Sequence, residues 1–144
     1  MLLELRDVTV EYPTPGRDTS TLKALDHLSL SIEAGEAVCV IGPSGCGKST
    51  ALRLASGLAK PTEGEVLAHG ERITGPRDDC ALILQDYGLL PWMSVYKNAE
   101  LGLSVRGVEK EQRRRRTLEA LERVGLAGFE KAWPSELSGG MQQR

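Results

Sequence analysis

The first third of the chain alternates apolar and polar residues, as strands with one exposed face do. In LELRDVTVEY the alternation slips once near Arg6–Asp7 and then resumes, which predicts a β-strand with a bulge. HLSLSI alternates again, and Gly35 supplies a turn after it. The two segments therefore predict a half-exposed antiparallel layer. Between them, PTPGRDTS has the composition of an exposed loop.

A second pattern consists of unbroken runs of apolar residues. AVCVI (residues 37–41) is an uninterrupted, largely β-branched run, which predicts a strand buried on both faces. GEVLAHG (64–70) and CALIL (80–84) predict two more strands.

The segment KSTALRLASGL (48–58) has the apolar spacing of a helix. Gly57 and Pro61 are residues that commonly end a helix, so we expect this one to end near them. Its periodic apolar positions are Leu52, Leu54, Ala55 and Leu58. SVYKNAELGLSV (94–105) and EKEQRRRRTLEALERV (109–124) predict further helices, the latter with Leu118, Leu121 and Val124 on one face. The chain is thus predicted to divide into a β-rich part, 1–88, and a helical part, 89–144.

Composition limits the class of protein. The 144 residues are 40% hydrophobic and 26% charged with a net charge of -2, which fits one globular domain and gives no basic surface for nucleic acid. The apolar runs are too short to cross a bilayer, and the N-terminus does not resemble a secretory signal. Cys39, Cys46 and Cys80 lack paired metal spacing and are typical of reduced cytosolic thiols.

The candidate chemistry begins at GPSGCGKST, which places Gly42, Gly47, Lys48 and Ser49 at the spacing of a phosphate-binding loop. Glycines allow successive backbone N–H groups to point at an anion, and the helix that follows adds its positive dipole end. Lys48 would reach the β- and γ-phosphates, and the Ser49 hydroxyl would ligate Mg²⁺. A plain turn between strand and helix is the alternative. The buried strand before the loop and the amphipathic helix after it favour nucleotide binding.

The predicted ATP contacts in this loop are Gly42, Pro43, Ser44, Gly45, Cys46, Gly47, Lys48, Ser49 and Thr50. Hydrolysis also requires a second metal contact and a group that orients water. CALILQD offers either Gln85 or Asp86 after an apolar strand, and the residues alone do not decide between them.

GPSGCGKST, LILQD and LSGGM, in this order, resemble the nucleotide-binding subunit of ABC transporters over the whole chain. The resemblance implies an α/β fold, a P-loop ATPase core with an antiparallel β layer and a helical subdomain. It implies that Gln85 contacts Mg²⁺ and water as a catalytic residue beside Lys48, and leaves Asp86 without a role. It also implies that Tyr12 stacks on adenine, although on pattern alone Tyr12 is more often a core residue.

LSGGM implies a site shared between subunits. Ser138 is a predicted helix N-cap, and Gly139 and Gly140 let backbone N–H groups approach a phosphate. In the family this surface contacts ATP held by a second nucleotide-binding subunit in a head-to-tail dimer. Met141 stands where the family has Gln, which weakens a side-chain role at that position.

The remaining segments suggest partners. LLPWMSVYKNAELGL corresponds to the segment with which the family docks on transmembrane permease subunits, and Trp92 and Leu90 fit either such a surface or buried packing. QDYGLLPW resembles importers for nitrate, sulfonate and taurine, which also use a solute-binding protein. The expected location is the cytoplasmic face of the inner membrane. Arg113–Arg116 lies among glutamates and predicts a solvated helix face, not a nucleic-acid patch.

Three functions remain open: the ATPase of an importer, a soluble ABC-type protein of translation or DNA repair, and a nucleotide-binding fragment without turnover. The family's Asp–Glu strand and histidine switch have no counterpart among these residues. We therefore expect that this sequence is a truncated part of a longer ATPase. The 1–144 segment alone is expected to hydrolyse little ATP. Its sheet would have an open edge where that strand belongs.

Overall fold

The computed structural model describes residues 1–13 and 21–144, which form two compact units, Met1–Leu82 and Ile83–Arg144. The loop predicted from PTPGRDTS lies, after Pro13, outside the described residues. The predicted division at residue 88 falls within the second unit. In the part of the chain that is described, no helix is both long and apolar enough to cross a membrane.

The first unit is built on a four-stranded antiparallel sheet with the order β2-β1-β3-β4. Its strands are β1 (Leu3–Pro13), β2 (Thr21–Ile32), β3 (Glu63–Ala68) and β4 (Glu71–Arg72). The burial of β2 alternates along Leu28, Leu30 and Ile32, which confirms the predicted half-exposed layer. The short strand β4 was not predicted, because two polar residues carry no period.

The predicted bulge in β1 is confirmed. The pairing of β1 with β2 shifts register between Leu5 and Val8, and Asp7 has a φ of 50°. The bulged amide of Asp7 donates to the Ser29 hydroxyl at 3.0 Å, and the Asp7 carboxylate lies 3.0 Å from Nδ1 of His27. Side chains of β2 thus provide partners for both the backbone amide and the carboxylate of the bulged residue.

The core of this unit lies between the sheet and helix α1 (Lys48–Ala55). Its buried residues are Leu5, Val8, Val10, Leu25, Ala51, Leu54 and Val66. The helix was predicted correctly, but its buried face was only partly so. Leu54 is fully buried, whereas Leu52 and Leu58 are exposed.

The two continuous apolar runs are not strands, and both predictions were wrong. AVCVI has no regular structure, and Ile41 is 88% exposed. CALIL is likewise irregular, with Ile83 exposed. A strand buried on both faces needs a hydrogen-bonded neighbour and a covering layer on each face. Among the described residues no strand pairs with either run, and only antiparallel pairs form.

The second unit is helical, with α2 (Val95–Val105), α3 (Lys110–Arg123), a 3₁₀ turn (Pro134–Glu136) and α4 (Gly139–Gln143). An apolar cluster of Val95, Leu121, Leu126 and Leu137 forms its core. Both long helices were predicted. On the predicted face of α3, Leu121 is buried and Val124 packs against the apolar cluster, as predicted. Leu118 is exposed and Thr117 is buried instead, so that one position was wrong.

Candidate functional site

The glycine-rich loop turns back on itself immediately before α1. The amide of Cys46 donates to the Pro43 carbonyl at 3.4 Å, which closes a turn. Gly45 and Gly47 have φ values of 83° and 93°, in the left-handed region that side chains rarely adopt. Pro43, like the rest of residues 42–46, is exposed to solvent.

Gly47 fixes this loop to the sheet. A Cβ atom at Gly47 would lie 2.5 Å from the Ala24 carbonyl oxygen and 2.6 Å from Cδ2 of Leu25. Leu25 opposes Val10 of the central strand β1. At Gly45, by contrast, a Cβ would meet nothing within 4 Å. The loop is therefore packed tightly at its last glycine and free at its middle one.

The side chain of Lys48 lies back against the glycine-rich loop that precedes it. Its Nζ donates to the carbonyl oxygens of Gly42 at 2.8 Å and Pro43 at 2.7 Å, and lies 3.6 Å from Sγ of Cys46. The ammonium is thus held beside the same turn whose glycines permit inward N–H groups. An anion seated in the turn would lie next to this charge.

The start of α1 supplies further donors. Its N-cap is Gly47, so no side chain caps the first amides of the helix. The first turn of the helix contains no acidic residue. The first N–H groups of a helix have no partner within the helix, and its dipole favours negative charge there. The exposed Ser49 hydroxyl lies in the same turn, and half-buried Thr50 follows it. The residues present thus fit a phosphate with an associated Mg²⁺ ion.

Tyr12 stands near the exposed end of β1, opposite Leu22. Its side chain is 38% exposed, so the alternative that it is a core residue was wrong. It follows Val10 by two residues, and Val10 opposes the Leu25 on which Gly47 packs. An exposed ring at this end of the sheet is available for stacking on a base.

Gln85 lies in the second unit, in an exposed turn and not at the end of a strand. Its predicted contact with Mg²⁺ stays a prediction, as the phosphate loop belongs to the first unit. Two residues later, Tyr87 has a φ of 63° and donates its amide to the Leu84 carbonyl at 3.1 Å. Its hydroxyl lies 3.7 Å from the place of a Cβ at Gly139. This contact could not be predicted from the sequence, because no period or motif joins the two positions.

The LSGGM segment has the predicted helix cap. Ser138 is the N-cap of α4, and its hydroxyl accepts from the Met141 amide at 3.4 Å. Ser138, Gly139 and Gly140 are exposed. Met141 packs against the apolar cluster, which explains why an apolar residue suits this position. Nε2 of Gln142 donates to the carbonyl oxygens of Pro134 and Leu137, at 2.8 Å and 3.1 Å, and ties α4 to the unit.

The LLPW segment projects its tryptophan. Trp92 is 68% exposed, whereas Leu90 is half-buried. Among the described residues, Trp92 therefore does not pack in the interior. The side chain of Asn98, in the first turn of α2, hydrogen-bonds the backbone of this segment. The segment is an exposed loop that the following helix holds.

The arginine run is not uniformly solvated. Arg114, Arg115 and Arg116 are exposed as predicted, but Arg113 is half-buried, which corrects the prediction. Its Nε donates to Glu100 at 2.7 Å, and Glu100 is only 6% exposed. The Lys97 ammonium at 2.8 Å, and then Arg113, hold the pKa of the Glu100 carboxyl below its ordinary value. A buried carboxylate needs such partners. Lys97 lies on α2 together with Glu100, whereas Arg113 joins α3 to α2.

Comparison with known proteins identifies the family. Residues 25–144 match the family model described as ABC transporter. The nitrate import ATP-binding protein NrtD of Synechocystis is 47% identical over 121 residues, which are 84% of this chain and 46% of that protein. The taurine import ATP-binding protein TauB of Yersinia pestis is 47% identical over 84% of this chain and 48% of its own length. The chain thus spans about half the length of these curated relatives.

A solved structure agrees in fold. The dimeric structure of a post-hydrolysis state of the ATP-binding cassette MJ0796, bound to ADP and Pi, superimposes with a TM-score of 0.84 at 35% identity. The alignment covers 98% of this chain and 65% of that one. The described α/β arrangement is therefore part of an ABC ATPase fold.

Proposed function

We propose, because this chain belongs to the ABC transporter family, that its protein is the ATP-binding subunit of a solute importer. It would bind MgATP and couple ATP hydrolysis to transport. The observation that carries this proposal is the Lys48 ammonium, which lies against the carbonyls of a turn that contains left-handed glycines and leads into an uncapped helix start. A positive charge, glycines whose conformation permits inward N–H groups, and a helix dipole at one point favour a polyphosphate.

The residues of the proposed site would each have a different role in binding MgATP. Backbone N–H groups of residues 42–50 would bind the phosphates, and Lys48 would neutralise charge on the β- and γ-phosphates. The Ser49 hydroxyl and Gln85 would hold Mg²⁺, which neutralises the charge that develops on the phosphate oxygens. Gln85 would also orient water. Tyr12 would stack on the adenine and fix its orientation.

The LSGGM segment would contact the ATP that a second subunit holds. Ser138, Gly139 and Gly140 are exposed at the start of α4, and Met141 and Gln142 anchor that helix to its own unit. An exposed, anchored helix start can contact a phosphate that another subunit holds. The dimeric cassette, bound to ADP and Pi, to which the chain is similar supports dimerisation. We propose a head-to-tail homodimer with two shared sites.

Transport would involve further partners. The import subunits for nitrate and taurine are each 47% identical to this chain, and one for Fe(3+) ions is 48% identical. Because all of these relatives are importers, we infer transmembrane permease subunits and a solute-binding protein that acts through them. The QDYGLLPW segment, and not the overall identity, favours a nitrate-, sulfonate- or taurine-like solute. The subunit would lie at the cytoplasmic face of the membrane. Trp92, exposed on its loop, is the side chain that we assign to the permease contact.

A complementation experiment tests the shared site. Lys48→Ala removes one phosphate contact, and Gly140→Asp places a negative charge beside the phosphate that the partner holds. Each variant, expressed from the complete reading frame, should hydrolyse little ATP alone. Mixed dimers contain one site in which both contacts are intact, so the mixture should recover hydrolysis. No recovery on mixing would contradict head-to-tail sharing, and an inactive wild-type protein would contradict the ATPase proposal itself.

A further inference from the structure

The loop that carries Trp92 is held by one amide side chain. Oδ1 of Asn98 accepts from the Leu90 amide at 2.8 Å. Its Nδ2 lies within hydrogen-bond distance of three carbonyl oxygens, those of Leu90 at 3.1 Å, Met93 at 3.0 Å and Ser94 at 3.1 Å. Asn98 therefore contacts the backbone on both sides of Trp92.

Only a carboxamide can make this set of contacts at this size. Its oxygen accepts while its nitrogen donates, whereas a carboxylate accepts only and an alanine does neither. The Met93 amide adds a turn to the Leu90 carbonyl at 3.1 Å, and Pro91 fixes one φ angle between them. The backbone on either side of Trp92 is thus constrained, although the indole is exposed.

We propose that Asn98 is a positioning residue, which acts through Trp92 by holding its loop ready for the permease. This rests on the proposed function, in which Trp92 contacts that partner. An exposed aromatic side chain on a fixed backbone loses less conformational freedom on binding than one on a mobile loop, and binds more tightly for that reason. The network thus accounts for a tryptophan whose side chain is exposed while the backbone around it is held in place.

The first test follows Trp92 in the protein expressed from its complete reading frame. With 5-fluorotryptophan incorporated, the ¹⁹F resonance of Trp92 is assigned by its loss in Trp92→Phe. In Asn98→Ala and Asn98→Asp this resonance should narrow and move toward the shift of the free amino acid. The Trp133 resonance should stay in place, which shows that the unit has folded. Control variant Gln112→Ala, which removes an exposed amide, should leave the Trp92 resonance unchanged.

The second test measures affinity for the permease in nanodiscs. Trp92→Ala and Asn98→Ala should each weaken binding about tenfold or more, and the double variant should be no weaker than the weaker single variant. A loss in Trp92→Ala without a loss in Asn98→Ala, or a Trp92 resonance that Asn98→Ala leaves unchanged, overturns the positioning role and leaves the docking proposal intact. Unchanged affinity in Trp92→Ala overturns both, whereas ATP hydrolysis by the wild type tests the proposed function separately.

Discussion

The side-chain nitrogen of Lys48 donates a hydrogen bond of 2.8 Å to the carbonyl oxygen of Gly42, six residues earlier in the chain. This bond closes the glycine-rich turn from its helical end. The ammonium has neutral carbonyls as partners, at Gly42 and at Pro43. Because hydrogen bonds between two charged groups are stronger, a phosphate would be a better partner than either carbonyl.

The two left-handed glycines of the loop should differ in their tolerance of a side chain. Gly45→Ala should cost about 1 kcal/mol, since only the backbone conformation is unfavourable there. Gly47→Ala should cost roughly 3 kcal/mol or more, because its Cβ would also overlap the Ala24 carbonyl and the Leu25 side chain. Urea unfolding of both variants measures the difference. Equal losses would show that the packing of Gly47 on β2 does not fix the loop.

Tyr12 should contribute to binding of the base and not of the phosphates. Tyr12→Ala should raise the Kd for ATP about tenfold, since stacking on an aromatic ring is lost. The Kd for inorganic tripolyphosphate, which lacks adenine, should not change. Tyr12→Phe keeps the ring and should bind ATP normally. If Tyr12→Ala weakens both ligands equally, the side chain acts on the loop and not on adenine.

The ion pairs of Glu100 should make the free energy of unfolding of the second unit depend on pH. Its pKa is lowered in the folded state, chiefly by Lys97 and then by Arg113. Its ion pairs therefore stabilise the fold fully above the ordinary glutamate pKa, and this stabilisation is lost as pH falls through the lowered value. Glu100→Gln should reduce the free energy of unfolding by about 1–3 kcal/mol at pH 7 and by less in acid.

Urea midpoints measured between pH 7 and pH 3 check this dependence. The exposed Glu122 is the matched control, and Glu122→Gln should follow the wild-type curve. Parallel curves for the wild type and Glu100→Gln would mean that the buried carboxylate does not contribute the acid dependence.

Local patterns in the sequence predicted the local structure well. The slip at Arg6–Asp7 gave the bulge, and Ser138 before two glycines gave the helix cap. Both depend on a few neighbouring residues. The family resemblance was likewise carried by three short motifs and is confirmed.

What the sequence could not predict depends on distant neighbours. AVCVI has the composition of a central strand, but a strand forms only where other strands pair with it, and none of the described residues does so. Arg113 looks identical to Arg114 in the sequence, yet only Arg113 reaches the buried Glu100 on another helix. The four contacts of Asn98 to the Trp92 loop are equally invisible, because asparagine in a first helical turn follows no motif.

The proposed function depends above all on Lys48 and its loop, which are proposed to bind the phosphates of a nucleotide. The most direct measurement is the Kd for a fluorescent ATP analogue, by anisotropy, in the wild type and in Lys48→Ala, with the exposed Lys60→Ala as control. Lys48→Ala should weaken binding roughly tenfold or more, while Lys60→Ala should bind as the wild type does. Equal affinity in all three proteins would show that Lys48 does not bind the phosphates.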